Sequence, residues 1–118
     1  MIERNWPVRK INGRFYFKIT DAGNLIGEYS NNTQSNIRTE SAFRNEPSGT
    51  GDFVGSYSSA WFEPDDKACI AASLLIAPKP NCLRQYLLEW SELDPPRKIF
   101  LGEAMLCDGI LIGNYWSV

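Results

Sequence analysis

The chain has 118 residues, of which 43% are apolar and 22% are charged, the composition of an ordinary globular domain. A chain of this length buries one hydrophobic core without disulfide or metal staples. Its 12 Lys and Arg against 14 Asp and Glu give a formal net charge of −2, without the basic stripe that attracts phosphate backbones. The sequence therefore predicts a single domain over residues 1–118 and no nucleic-acid partner.

Several common chemistries are disfavoured by the residues that the chain lacks. It contains no histidine, the most frequent general base and a common zinc ligand. Its cysteines, Cys69, Cys82 and Cys107, are odd in number and lack metal-binding spacing. We therefore expect no metal, no cofactor and no disulfide framework, and a non-enzymatic protein is favoured over an enzyme.

Neither a targeting segment nor a membrane span is indicated. Residues 1–7 have no apolar signal-peptide core, and the longest apolar run, residues 68–77, is far shorter than the ~20 residues that cross a bilayer. The expectation is a cytoplasmic protein with no membrane partner.

One phrase occurs three times, at residues 23–29, 51–57 and 109–115: Gly, any residue, two apolar residues, Gly, any residue, Tyr. Because side chains alternate along a strand, the second Gly and the Tyr share one face. Each copy begins at a turn, so the phrase predicts the return strand of a β-hairpin. A glycine inside a strand indicates a bend or a close approach by another group.

The first and last hairpins have well-defined turns. Residues 14–20 alternate strictly, and a three-residue loop at 21–23 pairs Phe17 with Gly27. Residues 98–107 and 110–117 flank Asp108-Gly109, a strong two-residue hairpin signal, which pairs Ala104 with Gly113. Residues 37–45 and 52–62 are predicted as the strands that follow the first hairpin.

The third hairpin joins strands 68–77 and 82–90 through residues 78–81, and residues 91–97 are predicted as a loop. Pairing Ala77 with Cys82 places Ser73, Arg84, Tyr86 and Trp90 on one face. If that face is interior, Arg84 needs an anionic partner, which could be Glu40 or a ligand carboxylate or phosphate. If the face is inverted, Arg84 is a solvated arginine, and the sequence leaves both readings open.

About eight strands in sequential hairpins predict an all-β, antiparallel up-and-down barrel, closed by the last strand on the first. A two-sheet β-sandwich is the alternative. Closure would also remove the exposed edges of an open sheet.

The segment 17–31, Phe-Lys-Ile-Thr-Asp-Ala-Gly-Asn-Leu-Ile-Gly-Glu-Tyr-Ser-Asn, resembles the first hairpin of the calycin barrels, and of the avidin branch in particular. In that branch the return strand Gly-x-Leu-x-Gly-x-Tyr-x-Ser directs the Tyr and Ser hydroxyls to the ligand. The resemblance places Tyr29 at the tyrosine and Asn31 where the serine stands. It implies a calycin-like barrel with a ligand site in its interior.

The tyrosines of the three copies, Tyr29, Tyr57 and Tyr115, either fill the barrel or line a pocket. Small residues at Gly27, Gly55, Gly102, Ala104 and Gly113 would leave interior space. The candidate ligand-binding residues are Tyr29, Asn31, Tyr57, Trp61, Ser73, Arg84, Tyr86, Trp90 and Tyr115.

An apolar band is predicted on the outer face of the last two strands. Its candidate interface residues are Leu101, Met105, Ile110, Ile112 and Trp116, with Leu74, Ile76, Leu83 and Leu87 beside them. Large exposed apolar patches mark interfaces, so we expect a homo-oligomer. The alternative is that another segment covers the band, or that inside and outside are exchanged.

Three functions remain open at this point. The first is binding of a small, partly apolar molecule in the barrel interior or mouth. The second is a protein-interaction module with a packed barrel, and the third is a barrel cyclase or isomerase. A tyrosine or carboxylate with a strongly perturbed pKa inside a cavity would favour the third.

Overall fold

The computed structural model describes residues 11–46, 52–63 and 68–118. The predictions made on residues 1–7 and on Gly51 lie outside these residues. Eight strands are present: β1 Asn12–Ile19, β2 Leu25–Asn31, β3 Gln34–Arg44, β4 Gly55–Glu63, β5 Ala68–Pro78, β6 Gln85–Leu93, β7 Pro96–Cys107 and β8 Ile110–Ser117. Each strand pairs antiparallel with the next, and β8 pairs with β1. The predicted up-and-down closed barrel is confirmed, and the two-sheet sandwich is wrong.

The first and last hairpins have the predicted registers. Phe17 pairs with Gly27 across β1 and β2, and Ala104 pairs with Gly113 across β7 and β8. In both hairpins a short turn leaves few ways to align the strands, because loop length selects the turn type. The turn therefore fixes which side chains enter the barrel.

The predicted register of the third hairpin is wrong. Leu74 pairs with Trp90, and Ser73 pairs with Ser91, a shift of an odd number of residues from the pairing of Ala77 with Cys82. An odd shift turns one strand over relative to its partner. Leu74 is consequently buried in the barrel instead of lying on its outer face, and so is Ile76.

The cause is the connection between β5 and β6, which is longer than predicted. Strand β6 begins at Gln85, whose carbonyl accepts a 2.9 Å hydrogen bond from the Lys79 amide. Asn81 and Arg84 both adopt positive φ angles, 63° and 59°. Asn commonly adopts this conformation but Arg does so rarely, so no sequence pattern predicts that the turn extends to Arg84.

Two other connections between strands are shorter than predicted. Residues 91–97 were expected to be a loop because of their paired prolines, but β6 continues to Leu93 and β7 starts at Pro96. Proline is compatible with the first residue of a strand. Likewise the strand predicted over residues 37–45 starts three residues earlier, at Gln34, so only Asn32 and Thr33 form the turn after β2.

The barrel interior is packed with aromatic and aliphatic side chains. The buried apolar residues are Phe15, Phe17, Leu25, Tyr29, Ala42, Phe53, Tyr57, Trp61, Ala72, Leu74, Ile76, Leu88, Trp90, Ala104, Leu111 and Tyr115. The expected free space beside the small residues is occupied. A Cβ atom on Gly27 would lie 2.8 Å from the Phe17 ring, and one on Gly102 would lie 3.1 Å from the Trp90 ring.

Arg44, the last residue of β3, closes one end of the barrel. Its guanidinium donates hydrogen bonds to the carbonyl oxygens of Gly23 (3.0 Å), Val54 (3.0 Å) and Asp52 (2.5 Å). It also lies 4.8 Å from the centre of the Tyr57 ring, a cation–π distance. This end, formed by the β1–β2 and β3–β4 connections, is therefore plugged.

We expect Arg44→Ala to lower the free energy of unfolding by about 2 kcal/mol, because three carbonyls lose a charged donor together. Urea unfolding followed by circular dichroism measures the change. Arg14→Ala is the matched control, since Arg14 is exposed on the outer face of β1, and its effect should stay within about 0.5 kcal/mol. Equal losses for the two variants would show that the plug does not stabilise the barrel.

Across the part of the chain that the structure describes, there is no helix of the length and apolarity needed to cross a membrane.

Candidate functional site

A cavity of about 130 Å³ lies at the end of the barrel opposite Arg44. It is formed where β2, β4 and β8 end and where β1 and β3 begin. The residues that line it are Ile11, Phe15, Tyr29, Asn31, Thr33, Gln34, Glu40, Trp61, Phe62, Glu63, Trp90, Phe100 and Tyr115. A β-bulge between Tyr29 and Asn31 interrupts the β2–β3 pairing at this end, so the barrel rim is irregular there.

Aromatic rings form most of the cavity wall, with Tyr115 at their centre. Its ring lies 5.4 Å from that of Phe100, 6.0 Å from Trp90 and 6.3 Å from Tyr29, measured between centroids. Phe15 packs edge-on against Trp90 at 5.6 Å. These distances are in the range of favourable aromatic pairs, so the wall is held together by the rings themselves.

Glu40 is the only carboxylate among the buried residues that the structure describes, and 7% of it is exposed. One carboxyl oxygen, Oε2, accepts hydrogen bonds from the Ser59 hydroxyl (2.5 Å) and from Trp90 Nε1 (2.8 Å). The other oxygen, Oε1, receives no hydrogen bond from any described residue. A buried acceptor without a donor is costly, so the cavity beside it is a place for a ligand or water to supply one.

Burial raises the pKa of Glu40 from its ordinary value of 4.5 to about 7, and the hydrogen bonds from Ser59 and Trp90 oppose this rise. Removing a carboxylate from water disfavours its charged form. Near neutral pH the side chain is therefore a mixture of acid and carboxylate, which allows it either to donate or to accept a proton.

Tyr29 and Tyr115 bring their hydroxyl groups to the same region. The Tyr115 hydroxyl accepts a 2.9 Å hydrogen bond from the Asn31 amide, whose Oδ1 accepts bonds from Thr33. Tyr29 is buried, with 9% of its surface exposed, and its hydroxyl has no hydrogen-bond partner among the described residues. Burial raises the pKa of Tyr29 to about 12, so this hydroxyl stays protonated at neutral pH.

The second acidic side chain of the cavity is Glu63, whose Oε2 accepts a 2.9 Å bond from Trp61 Nε1. None of the described lining residues is basic. Arg38, which pairs with Tyr29 across β2 and β3, donates its Nε–H to Gln34 (2.5 Å) at the rim. Within residues 11–46, 52–63 and 68–118, no three acidic or cysteine side chains are grouped so that they could hold a metal ion.

The chain was compared with protein-family models, with curated proteins and with solved structures, and none of them matches it. The likeness of segment 17–31 to a calycin hairpin consequently stays a resemblance. What the structure shows is the coarser statement, a closed antiparallel barrel of eight strands.

Five of the candidate ligand-binding residues line the cavity together: Tyr29, Asn31, Trp61, Trp90 and Tyr115. The others lie elsewhere. Tyr57 is at the plugged end, where its hydroxyl donates to the Phe53 carbonyl oxygen (2.6 Å). Tyr86 packs on the core away from the cavity, and Ser73 points outward between buried neighbours. Arg84 is exposed in the β5–β6 connection, so the alternative of a solvated arginine applies.

Glu40 is the main residue that sequence reasoning missed, since it was considered only as a partner for Arg84. Its position on the inner face follows from the pairing of Gly27 with Glu40. That register was not available from the sequence, because the turn after β2 was not located. Phe15 and Phe100, which also line the cavity, lie in predicted strands but were not assigned to a site.

The outer band is present but interrupted. Met105 and Ile112 are neighbours across β7 and β8, with 58% and 44% of their surfaces exposed. Leu101 pairs with Trp116 further along, and the Glu103–Asn114 pair separates the two groups. Ile110 is half-buried at the start of β8, Leu83 and Leu87 are exposed, and Leu74 and Ile76 are interior. The homo-oligomer expected from this band stays a prediction.

Proposed function

We propose that this protein binds a small, partly apolar molecule in the open end of its barrel, without chemically changing it. The observation that carries the proposal is an aromatic cavity lined by two buried residues, Glu40 and Tyr29, each with a polar atom that receives no hydrogen bond from any described residue. Ligand sites are typically apolar hollows with a few placed polar groups, and barrel mouths are a common location.

The size of the cavity limits the ligand or the part of it that enters. A cavity of about 130 Å³ is close to the roughly 150 Å³ of an engineered apolar cavity that holds benzene. The enclosed part of the ligand therefore has about six non-hydrogen atoms, and any larger remainder would extend past the rim at Thr33 and Gln34.

The resemblance of the first hairpin to that of the avidin branch supports the same location. In that branch the matching tyrosine and serine contact the ligand, and here Tyr29 and Asn31 both line the cavity. Fold likeness alone does not establish function, so the proposal rests on the cavity and uses the resemblance as support.

The proposal is tested by native mass spectrometry of freshly purified protein, followed by a fragment screen read from the NMR signals of the fragments, a readout that an added tryptophan does not change. We expect small ligands to bind the wild type and to bind Thr33→Trp at least tenfold more weakly, because the new indole would block the rim. Asn32→Trp is the matched control in the same turn, since Asn32 does not line the cavity, and should bind normally. Equal binding by both variants would place the site elsewhere.

A barrel cyclase or isomerase is the second candidate, and the raised pKa of Glu40 favours it, because acids and bases with pKa values near 7 suit proton transfer. The two candidates differ in what happens to a bound molecule. Isomerisation through proton transfer at carbon exchanges hydrogen with solvent, so incubation in deuterated water labels the ligand. The binding function predicts that bound ligands stay unlabelled.

A further inference from the structure

We propose that the ligand of this cavity is an organic cation, whose alkylammonium group is enclosed by the aromatic rings and faces the carboxyl group of Glu40. The inference rests on the proposed function and narrows it to one chemical class. Three features of the cavity lead to it: its rings, the sign of its charged groups and its size.

Of the thirteen described residues that line the cavity, seven are aromatic: Phe15, Tyr29, Trp61, Phe62, Trp90, Phe100 and Tyr115. The face of an aromatic ring carries negative potential and attracts a cation within about 6 Å of its centre. Such an attraction exceeds its surface value when water is excluded, and clusters of aromatic rings are used to recognise alkylated ammonium groups. The wall of this cavity thus offers a cation both apolar contact and electrostatic attraction.

The charged groups of the cavity have the complementary sign. Glu40 and Glu63 are lining residues, and no lysine or arginine is among those described. Oε2 of Glu40 already accepts two hydrogen bonds, whereas Oε1 receives none from the described residues. A carboxylate in a low-dielectric site strongly favours a nearby positive charge. Among the described residues, Arg38 lies near the rim and donates a hydrogen bond to Gln34, which lines the cavity.

The size of the cavity suits a compact ammonium group. Tetramethylammonium has five non-hydrogen atoms and fits within the limit of about six. A ligand this small binds weakly, because affinity per non-hydrogen atom has a ceiling, and dissociation constants near the millimolar range are expected. A longer natural ligand would add contacts at the rim.

Cation binding should depend on pH, because a cation and a proton compete for the carboxyl group of Glu40, whose pKa is raised to about 7. Four other titratable or charged groups lie near the cavity: Tyr29 from β2, Arg38 from β3, Glu63 from β4 and Tyr115 from β8. Ser59 and Trp90, which hydrogen-bond to Glu40, do not titrate. Burial raises the pKa of both tyrosines, to about 12 for Tyr29. Cation affinity should therefore fall as the pH drops below 7, following Glu40.

The test compares a cationic probe with a neutral probe of the same number of non-hydrogen atoms and with an anionic probe that is two atoms larger, on the intact protein by isothermal titration to about 10 mM. They are tetramethylammonium, which is a cation that does not titrate, tert-butanol, which is neutral, and pivalate, which is an anion. We expect tetramethylammonium to bind at least tenfold more tightly than the other two at pH 8. Its affinity should fall by at least tenfold at pH 5.5.

Variants assign this behaviour to Glu40. Glu40→Gln keeps the shape of the side chain and should reduce tetramethylammonium affinity about tenfold and abolish the pH dependence. Ser59→Ala removes a hydrogen bond to Oε2 that favours the carboxylate, so it should move the pH at which tetramethylammonium affinity falls upward, and it serves if Glu40→Gln fails to fold. Glu103→Gln, on the exposed outer face, should match the wild type.

The outcomes separate this inference from the function on which it rests. Binding of tert-butanol or pivalate as tightly as tetramethylammonium, lost in Thr33→Trp, would overturn the cation inference and retain the binding function. If none of the three probes binds, the cation inference is wrong. If the wider fragment screen also finds no ligand, the proposed binding function is wrong as well. A cation affinity that is the same at pH 8 and pH 5.5, and the same in Glu40→Gln as in the wild type, would contradict the role of the carboxyl group.

Discussion

Gly27→Ala is expected to destabilise the barrel by about 3 kcal/mol or more, the largest single effect that the structure predicts. A Cβ atom at this position would overlap the carbonyl oxygen of Tyr16 and would lie 2.8 Å from the Phe17 ring. The Phe17 side chain could shift, but the Tyr16 oxygen belongs to the neighbouring backbone. Strands β1 and β2 would have to separate, and overpacking that moves backbone is among the costliest of substitutions.

The measurement is urea unfolding of Gly27→Ala, followed by tryptophan fluorescence and far-ultraviolet circular dichroism. Gly109→Ala is the control, because Gly109 has open space around it but a positive φ of 77°. That conformation alone costs a side chain about 1 kcal/mol. If the two variants lost the same stability, the close approach at Gly27 would not be the reason for its glycine.

The second large effect is on the pH dependence of stability. Between pH 5 and pH 8, the wild type should lose about 2 to 3 kcal/mol of stability relative to Glu40→Gln. The fold raises the pKa of Glu40 from 4.5 to about 7 by burial. From pH 4.5 to pH 7 the folded chain thus holds a proton that the unfolded chain has released, and linkage requires stability to fall as the pH rises.

Urea unfolding at pH 5, 6.5 and 8 gives the free energies of both proteins, and their difference isolates Glu40 from other titrating groups. Glu103→Gln supplies the comparison, because Glu103 is an exposed carboxylate 3.7 Å from Lys79. Exposed ion pairs contribute little, so its difference from the wild type should vary by less than about 0.5 kcal/mol. A wild type that gained stability over this pH range relative to Glu40→Gln would refute the buried, raised-pKa carboxyl.

The fold could be predicted from the sequence where short turns fixed the register. Asp108-Gly109 and the loop at 21–23 align their strands, so the inward positions of Phe17, Ala104 and Leu111 followed from alternation. The predicted register of the third hairpin was wrong because its connection ends at Arg84, in a conformation that arginine rarely adopts. Because the length of this one turn was predicted wrongly, every side chain of β5 was assigned to the wrong face of the sheet.

The site was harder to predict because it depends on pairings between strands distant in the sequence. Trp90 reaches Glu40 across the barrel, 50 residues apart in the chain, and no local pattern encodes that contact. The three tyrosines hold equivalent positions in the repeated phrase, but Tyr57 lies near the start of β4, at the plugged end, whereas Tyr29 and Tyr115 lie near the ends of β2 and β8 and line the cavity. The repeated phrase therefore identified inward positions, but the residue at which each strand starts determines the end of the barrel that its tyrosine reaches.

At the end of the barrel opposite Arg44, the buried carboxyl of Glu40 is the main polar group of the cavity. Carbon-13 NMR of the glutamate side-chain carboxyl groups, titrated from pH 3 to pH 9, tests whether this carboxyl is buried. The Glu40 resonance is identified by its absence from the spectrum of Glu40→Gln. The structure predicts a titration midpoint near 7. A midpoint near the ordinary 4.5 would mean that Glu40 is solvated, and the proposed site would be wrong.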